Sequence, residues 1–539
     1  MEMTSRRRLF VVYGLLLVVA FAFRLFVALR LPNDTPGDGV VYAQIARNVL
    51  EQHVYSHESE APFVPSLIRL PGYPLFLAGI YSISGHTNNT AVRVAQAVID
   101  TATCVLIALV AFLWVDDEAW KQTAAIAAFT LAALCPFTSI YVATILTEVP
   151  TNFLAVAMCL IATLAFSATS RRKAFVLWFL AGLTSGLAVL FRPDSGLFAA
   201  AIGFTIVISA IAANGTGGLI KRLGKAIPSA AIFSVAFCLI LVPWTIRNRR
   251  VFGLFQPLSP AHGEMPGEFV PRGYLMWLRT WLDDGRYIGP VLWRLDSGPI
   301  KIDAFPAYAF DSQQERERVE ALMERYNHPV DQSETSASTA TTTTPLPAAS
   351  PEPSPEGSEE GNEESSNDEL DYDPTNVEMT ADIDAGFAEL ARERITRSSI
   401  RYYVQLPLKR AKSLWFDTHS QYYPFEGDLL PLEDLDDEIH QQWWLPLFTA
   451  LTWAYSILGV IGAWFLWRSR SHTTRRWLLL VSLIVFVRIG FFSTLENPEP
   501  RYVVEVFPFL SILGGVAIAY LLSLRKPKEV VSQELVVQD

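Results

Sequence analysis

The sequence predicts an all-α polytopic membrane protein, a bundle of about ten transmembrane helices with external amphipathic helices and a small extracytoplasmic α-rich subdomain. Of its 539 residues, 51% are hydrophobic. These residues are concentrated in blocks about 20 residues long, the length that an α-helix needs to cross a hydrocarbon core of about 30 Å. Two longer polar segments separate groups of these blocks, and we expect the function there.

Ten apolar blocks follow one another along the chain. They cover residues 9–30, 91–114, 123–145, 149–169, 174–191, 195–213, 226–246, 445–467, 477–493 and 503–524. The first block continues past Arg24 without a small-residue cleavage site, so we interpret it as a retained span and not as a signal peptide. Most Lys and Arg clusters that flank the blocks fall on one side if both termini are cytoplasmic. We therefore expect a multi-pass protein of the plasma (inner) membrane.

The polar segments divide the chain into three predicted parts. Residues 1–246 form an N-terminal membrane module whose first external loop is 31–90. Residues 247–444 form an extracytoplasmic loop subdomain, and residues 445–539 hold the C-terminal transmembrane helices and a cytoplasmic tail. Both long segments lie outside in this topology. The active site is therefore expected to be extracytoplasmic.

The second long segment contains an acidic insert at residues 331–375. It holds twelve Asp and Glu and no Lys or Arg, and it is rich in Ser, Thr and Pro. Such a composition buries too little apolar surface to offset the entropy of ordering, so we predict disorder. Residues 276–281 and 387–415, on either side of the insert, have apolar periodicity, which predicts amphipathic helix in the second of them.

The charge and the motifs exclude several function classes. The formal net charge is -11, and the insert accounts for it, so the remainder is close to neutral and offers no basic surface for nucleic acid. A Walker loop, a dinucleotide-binding glycine pattern and a Gly-x-Ser-x-Gly elbow are absent from the contexts that would support them. The function therefore depends on charged residues near the ends of the spans.

Two charged residues of the first external loop are candidates. Asp38 follows the first span by a few residues, where a carboxylate can act as a general base, or alternatively cap the helix that begins near Val40. Arg69 lies in the stiff sequence Arg-Leu-Pro-Gly-Tyr-Pro and suits a lipid phosphate, because its guanidinium binds phosphate oxygens in a bidentate fork. The alternative for Arg69 is an interfacial arginine that extends to headgroups.

Charged residues also end several later spans. An ionised side chain at mid-bilayer costs about 2.5 to 3.5 kcal/mol on insertion scales, so such residues indicate function. Glu148 lies at the turn between the third and fourth spans, and Arg192 and Asp194 end the fifth. The alternatives are a solvated turn residue for Glu148 and a surface ion pair for Arg192 with Asp194. Arg247 and Arg501 lie at the same predicted level, which indicates an anion site.

The histidines give weaker evidence for a metal. His53 and His57 are four residues apart, with Glu58 and Glu60 following, and could bind a metal on one helix face. The same stretch is more typical of a polar loop. The metal ligands therefore stay unassigned.

Six short motifs together resemble the GT-C fold polyprenyl-phosphate-dependent glycosyltransferases (family 39-like), in particular the bacterial relatives of protein O-mannosyltransferases and of the aminoarabinose transferase. They occur in order over most of the membrane portion: Asp38-x-x-x-Tyr42, Arg69-Leu-Pro-Gly-Tyr73-Pro74, Leu146-Thr-Glu148, Phe191-Arg192-Pro193, Pro243-Trp-x-x-Arg247-Asn248 and Glu499-Pro-Arg501-Tyr502. The resemblance implies a GT-C-like bundle. The acidic insert has no counterpart in that pattern.

The resemblance implies a membrane glycosyltransferase of hexosyl or pentosyl type, with a polyprenyl-phosphate-linked sugar as donor and an extracytoplasmic lipid, glycan or protein as acceptor. It assigns Asp38 as the catalytic carboxylate and Glu148 as a second acidic residue in the site. It also assigns Arg69 as a ligand of the donor phosphate, with Arg501 assisting in binding that phosphate. We add Arg192 and Arg247 to the phosphate site because they lie at the same predicted depth in the membrane. We also assign Tyr42, Tyr73 and Tyr502 to the substrate cavity. A divalent metal is compatible with this assignment.

One departure from the family pattern concerns the acceptor. Many protein O-mannosyltransferases have two adjacent acids in the first loop, whereas Gly39 follows Asp38 here, so a protein acceptor is not supported. Two other functions stay open, a transporter or flippase of lipid-linked saccharide and a glycan polymerase or ligase. Transporters often show related halves, and none is visible in this sequence.

Overall fold

The computed structural model describes residues 2–31, 37–85, 87–212, 218–329, 377–420, 423, 425, 427–432, 439–469 and 471–525. The predicted disorder of the insert at 331–375 and most of the predicted C-terminal tail lie outside these residues. The described part of the chain is helical, and its β-structure consists of two isolated bridges, Asp417 with Asp428 and Leu429 with Leu432. The prediction of an all-α fold is confirmed.

The helices predicted to span the membrane are present. Within the described residues nine helices are long and apolar enough to cross a bilayer. They are α1 (Glu2–Arg30), α4 (Asn89–Trp114), α7 (Glu148–Phe166), α8 (Arg171–Phe191), α9 (Gly196–Ala212), α10 (Leu219–Phe252), α15 (Ile439–Arg468), α16 (His472–Ser493) and α17 (Phe507–Arg525). Short 3-10 turns over Pro193–Ser195 and Pro500–Val506 precede α9 and α17.

The third predicted span, residues 123–145, is broken. It consists of α5 (Glu118–Ala133), α6 (Pro136–Ser139) and a 3-10 turn over Ile140–Ala143, and the two parts are bent by 49°. Pro136 begins the second part, because a proline cannot donate the helical hydrogen bond that would continue α5. Arg24 of α1 donates to the carbonyl oxygens of Ala132 and Ala133, both at 2.9 Å, and thereby satisfies backbone groups that the break exposes.

Close contact between spans depends on small residues. Gly182 and Gly186 of α8 lie one turn apart and face α10, where a Cβ on Gly186 would lie 2.6 Å from the carbonyl oxygen of Phe237. A Cβ on Gly182 would overlap the carbonyl oxygen of Phe233. This Gly-x-x-x-Gly pattern lets two helix backbones approach closely in a membrane, where apolar side chains gain little from contact with one another.

The remaining helices of the first external loop and of the second long segment are shorter. They are α2 (Asp38–Glu51), α3 (Gly72–Ser84), α11 (Arg272–Leu278), α12 (Gln313–Asn327), α13 (Ala381–Arg397) and α14 (Leu406–Phe416). The amphipathic stretch predicted over 387–415 is helical, but Ser398 ends α13, and a π-helical turn over Arg401–Gln405 precedes α14. The helix α3 was not predicted, because the loop was interpreted only as far as its proline-rich turn.

By its internal contacts the chain divides into two compact units. The membrane unit comprises Met1–Val270, Asp283–Gly285 and Tyr403–Asp539, and the helical unit comprises Pro271–Leu282 and Arg286–Tyr402. The helical unit has its own core of aromatic side chains, in which Trp277 packs against Trp281 and Phe387. The functional residues predicted from the sequence all belong to the membrane unit.

Candidate active site

Asp38 is held between two arginines. Its Oδ1 accepts a hydrogen bond from Nη2 of Arg69 at 2.6 Å, and its Oδ2 accepts one from Nη1 of Arg501 at 3.1 Å. Asp38 is the first residue of α2, and the N-cap is Gly37, whose φ of 58° a glycine adopts without strain. The alternative of Asp38 as a helix cap is therefore wrong, and its carboxylate is committed to the two guanidinium groups.

The first external loop fixes Arg69 from several sides. The hydroxyl of Tyr55 donates to the carbonyl oxygen of Arg69 at 3.0 Å, and the guanidinium lies 5.9 Å from the centre of the Tyr42 ring. The turn then packs on the end of α8, since a Cβ on Gly72 would lie 2.6 Å from the carbonyl oxygen of Leu190. Arg69 thus faces Asp38 from a turn whose backbone is fixed by Tyr55 and by the end of α8.

Arg501 is oriented by a buried acid. Its Nε lies 2.7 Å from Oε2 of Glu499, whose Oε1 accepts a hydrogen bond from the hydroxyl of Ser420 at 3.0 Å. Glu499 is fully buried, and burial raises the pKa of its carboxyl, although the charge of Arg501 opposes the shift. Neither Ser420 nor the role of Glu499 was predicted, because Ser420 and Glu499 are 79 positions apart in the sequence.

The pKa of Asp38 results from opposing effects. Burial raises it, but the charges and hydrogen bonds of Arg501 and Arg69 outweigh burial and hold the pKa of the carboxyl below its usual range. In this state Asp38 is ionised at neutral pH and is a weak base. Its proton affinity therefore depends on whether the two arginines stay with it.

Glu148 belongs to a second, more deeply buried cluster. Its Oε1 lies 2.8 Å from Nη1 of Arg192, which also contacts Glu505 at 3.1 Å, while Nε of Arg192 lies 3.0 Å from Asp194. Glu148 is 1% exposed, so the alternative of a solvated turn residue is wrong. Arg192 and Asp194 do form the ion pair considered as an alternative, but the pair is buried and not at the surface.

Arg488 closes this cluster from α16. Its Nη2 contacts Asp194 at 2.7 Å and also contacts Glu505, and its Nε donates to the carbonyl oxygen of Tyr502 at 2.7 Å. The sequence interpretation missed Arg488 and Glu505. Both are charged residues inside apolar blocks, so the intramembrane-charge rule applied to Arg192 would also have identified them.

The tyrosines connect the clusters. The ring of Tyr502 lies 5.3 Å from the guanidinium of Arg501 and 5.4 Å from that of Arg192, so it separates the two arginines. The rings of Tyr42 and Tyr73 meet edge to face at 5.2 Å, and the buried hydroxyl of Tyr73 donates to Gln96 at 2.9 Å. Tyr42 thus lies beside Arg69 of the Asp38 site, and Tyr73 packs against the ring of Tyr42.

The contacts of Arg247 in the described part of the chain are with the first external loop and with its own helix, and not with Asp38. Its Nη1 donates to the carbonyl oxygen of Ser66 at 2.7 Å, and its guanidinium stacks on Trp244 at 4.8 Å and on Tyr55 at 5.3 Å. Tyr55 in turn holds the backbone of Arg69. The structure therefore brings Arg69 and Arg501 to Asp38 and incorporates Arg192 in the buried cluster. Among the residues that the structure describes, Arg247 is connected to the site through Ser66 and Tyr55 of the first loop.

The metal prediction for the first loop depends on a helix that is not there. The helix α2 ends at Glu51, and His53 has a φ of 57°, so His53 and His57 do not share a helix face. Among the described residues, one group of three side chains has the ligand types and spacing for a metal ion, namely Asp417, His419 and Asp428. None of these three was predicted.

Comparison with known proteins agrees with the motifs. Residues 14–254 match the family model of the dolichyl-phosphate-mannose-protein mannosyltransferases. This match confirms the resemblance to GT-C polyprenyl-phosphate-dependent glycosyltransferases. No curated protein matched the sequence.

Solved structures show a distant likeness. An oligosaccharyltransferase from Archaeoglobus fulgidus, in complex with Zn and sulfate, is 12% identical with a TM-score of 0.45 over 94% of this chain. The chain spans about half of that protein, 51% of its length. ArnT from Cupriavidus metallidurans, bound to undecaprenyl phosphate, is 13% identical with a TM-score of 0.37, over 94% of this chain and 76% of that one.

Proposed function

We propose, from the match of residues 14–254 to the family model and from the geometry of the site, that this chain transfers a sugar from a polyprenyl-phosphate carrier to an acceptor outside the cytoplasm. The observation that carries the proposal is the position of Asp38 between Arg69 and Arg501. One acid and two arginines together supply the two needs of this reaction, a base for the acceptor and positive charge for the leaving phosphate.

The donor phosphate would exchange partners with Asp38. Arginine binds phosphate oxygens as readily as a carboxylate, so a phosphodiester that enters beside Arg69 and Arg501 competes with Asp38 for their hydrogen bonds. As the arginines turn to the phosphate, the effect that lowers the pKa of Asp38 weakens, while burial still raises it. Donor binding would thus convert a weak base into a stronger one at the moment when a base is needed.

The transfer step forms one bond to the sugar and breaks another. Asp38 takes the proton from the hydroxyl or amine of the acceptor as the acceptor atom forms a bond to the anomeric carbon of the sugar. The bond between that carbon and the phosphate oxygen breaks, and the electron pair leaves with the polyprenyl phosphate. The extra negative charge on the phosphate is stabilised by Arg69 and Arg501, which donor binding has already turned toward the phosphate before the transfer step.

Glu148 is proposed to contact the sugar. One of its oxygens is held by Arg192, while Oε2 is buried and has no hydrogen-bond partner among the described residues. A buried acceptor without a partner costs about 1–3 kcal/mol, and a sugar hydroxyl would remove that cost. Arg192 holds the other oxygen of Glu148, so we assign Arg192 to positioning Glu148, with contact to the phosphate as its second assignment.

Arg247 is proposed to act on the donor through the loop. Its stacking on Tyr55 and its bond to Ser66 hold the segment that carries Arg69. A phosphate that reached Arg247 would have to replace the carbonyl of Ser66. Tyr42 and Tyr502, which flank Arg69 and Arg501, are proposed to line the cavity that receives the sugar.

A donor comparison tests the proposed function. The purified full-length chain in lipid nanodiscs is incubated with a membrane lipid extract as acceptor and with one labelled donor at a time: a polyprenyl-monophosphate hexose, a polyprenyl-monophosphate pentose, a polyprenyl-pyrophosphate saccharide or a sugar nucleotide. We expect release of free polyprenyl phosphate from one of the monophosphate donors. Consumption of the sugar nucleotide alone, or of the pyrophosphate donor alone, would reject the proposal.

The transporter alternative is separated by a vesicle assay. The chain is reconstituted with the labelled monophosphate donor in both leaflets and acceptor extract outside. A glycosyltransferase forms a new glycosidic bond that mass spectrometry detects. Movement of intact donor across the bilayer with no new bond would favour the transporter.

A further inference from the structure

Two segments of the membrane unit place three metal-ligating side chains together. After α14 ends at Phe416, the chain pairs in antiparallel fashion with a later segment, and the backbone N–H of Thr418 donates to the carbonyl oxygen of Gly427 at 3.1 Å. Asp417 lies opposite Asp428 in this pairing, and residues opposite one another place their side chains on one face. His419 is two residues on and shares that face. Ligand atoms of Asp417, His419 and Asp428 all lie within 4.8 Å of one another.

The group is built into the structure and is not a surface cluster. Asp417 is buried, and its oxygens accept hydrogen bonds from the backbone N–H groups of His419 at 2.8 Å and Gly285 at 3.3 Å. Its Oδ1 also lies 2.6 Å from Nδ1 of His419, which fixes the orientation of the imidazole. Gly285 must lack a side chain here, because a Cβ would lie 2.7 Å from Oδ2 of Asp417. Asp417 and His419 are therefore held in place before any cation arrives.

We propose that Asp417, His419 and Asp428 bind a divalent transition-metal cation, with Zn²⁺ as the expected ion. A mixed set of one imidazole and two carboxylates suits Zn²⁺ and similar first-row ions, whereas Mg²⁺ and Ca²⁺ prefer oxygen ligands alone. A cation would also offset the buried negative charge of Asp417.

The cation has a structural consequence for the active site. Ser420 follows His419 directly, and its hydroxyl holds Glu499, which holds Arg501 beside Asp38. A cation that fixes residues 417–420 would also fix Ser420, and through it Glu499 and the guanidinium of Arg501. Ser420 and Glu499 are thus positioning residues for the anion site. This second part rests on the proposed function, whereas metal binding does not.

Metal binding is tested first, without any substrate. The full-length chain is purified, stripped with a chelator and equilibrated with Zn²⁺, Mg²⁺ or Ca²⁺, and the bound metal is measured by mass spectrometry. We expect one Zn²⁺ per chain, and a loss of affinity of at least about tenfold in Asp417→Asn, His419→Gln and Asp428→Asn. His57→Gln, in the first loop, is the matched control and should bind Zn²⁺ like the wild type.

Thermal unfolding gives a second readout on the same samples. A ligand that binds the folded state raises its stability, so Zn²⁺ should raise the Tm of the wild type and of His57→Gln but not of Asp417→Asn. A stripped wild type that takes up no Zn²⁺, equal Zn²⁺ binding by Asp417→Asn and His57→Gln, or a preference for Mg²⁺ over Zn²⁺ would each overturn the site as stated.

The positioning part is tested with polyprenyl phosphate as the probe. Zn²⁺ should strengthen binding of a short-chain polyprenyl phosphate to the stripped wild type. In Ser420→Ala the cation should still bind, but its effect on the phosphate should be lost, because the link to Glu499 is gone. If the phosphate binds equally with and without Zn²⁺, the positioning part is wrong. If it binds in neither state, the proposed function fails while the Zn²⁺ result stands.

Discussion

Asp38 carries the largest share of the proposed chemistry at the scale of single residues. Replacement by asparagine keeps its shape but removes both the base and the negative charge between Arg69 and Arg501. We expect Asp38→Asn to lower transfer by about 10²- to 10⁴-fold, the usual contribution of a general base. Binding of polyprenyl phosphate should persist or strengthen, because the two arginines are no longer neutralised. Donor turnover and phosphate binding on the same purified sample measure both effects.

The control for this variant is Asp303→Asn. Asp303 is an exposed acid of the helical unit that pairs with Arg316 at 3.3 Å, so its loss changes the net charge equally without touching the site. It should transfer like the wild type. Undiminished transfer by Asp38→Asn would remove Asp38 from the catalytic assignment.

The two arginines also determine the pH dependence. Because Arg501 and Arg69 hold the pKa of Asp38 below its usual range, its base function in the free enzyme is lost only as the pH falls through that lowered pKa. Removing one cation raises the pKa, since burial then meets less opposition. We expect the acid limb of kcat/KM, which reports the free enzyme, to move to higher pH in Arg501→Gln. A pH–rate profile over the acid range measures the shift.

Arg325→Gln is the matched control for the pH profile. Arg325 is an exposed arginine of the helical unit and pairs there with Asp382. Its acid limb should coincide with that of the wild type. An acid limb of Arg501→Gln that stays in place or moves to lower pH would contradict the proposed coupling between Asp38 and Arg501.

At the scale of elements, the contact between α8 and α10 depends on two glycines. A Cβ at Gly182 or Gly186 would overlap the backbone of α10, and forcing extra volume into such a contact typically costs about 1–3 kcal/mol. We expect Gly182→Ala and Gly186→Ala to lower the Tm of the protein in detergent. Arg192 directly follows α8, so the same variants should also weaken transfer.

Gly203 in α9 provides the comparison. It has no atom within 4 Å of an added Cβ, and alanine is favoured over glycine inside a helix by roughly 0.5–1 kcal/mol. Gly203→Ala should therefore keep or raise the Tm. Equal Tm values for Gly182→Ala and Gly203→Ala would show that the close approach of α8 and α10 does not limit stability.

Sequence reasoning succeeded for the elements because the physics there is local. A span is recognised from about 20 consecutive apolar residues, and all ten predicted blocks coincide with helices or with the bent pair. The contacts of Asp38 with Arg501 and of Arg192 with Glu505 join residues 463 and 313 positions apart in the chain. No local pattern encodes such a pairing. Arg488 was missed because it lies inside an apolar block, and the group at Asp417 was missed because it joins two separate segments.

At the scale of the whole molecule, the ion pairs restrict the topology. Arg192 contacts both Glu148 and Glu505, and Glu505 lies one helical turn after Arg501, which contacts Asp38. Residues in contact lie at one level of the membrane, so an even number of crossings must separate Asp38 from Glu148. Between them lie α4, which is long enough to span, and the bent pair of α5 and α6. The bent pair must then cross as well.

This reasoning predicts ten crossings and both termini on one side of the membrane, the cytoplasmic side by the distribution of Lys and Arg. Green fluorescent protein fused after residue 525 should fluoresce, and alkaline phosphatase fused there should be inactive. Fusions at residue 258, after α10, should show the reverse, because seven crossings precede that point. If the bent pair does not cross, the fusion at 525 lies on the opposite side of the membrane. Asp38, which follows α1, and Arg501 would then also lie on opposite sides, and their contact could not form. Phosphatase activity at residue 525 would therefore contradict both the topology and the proposed active site.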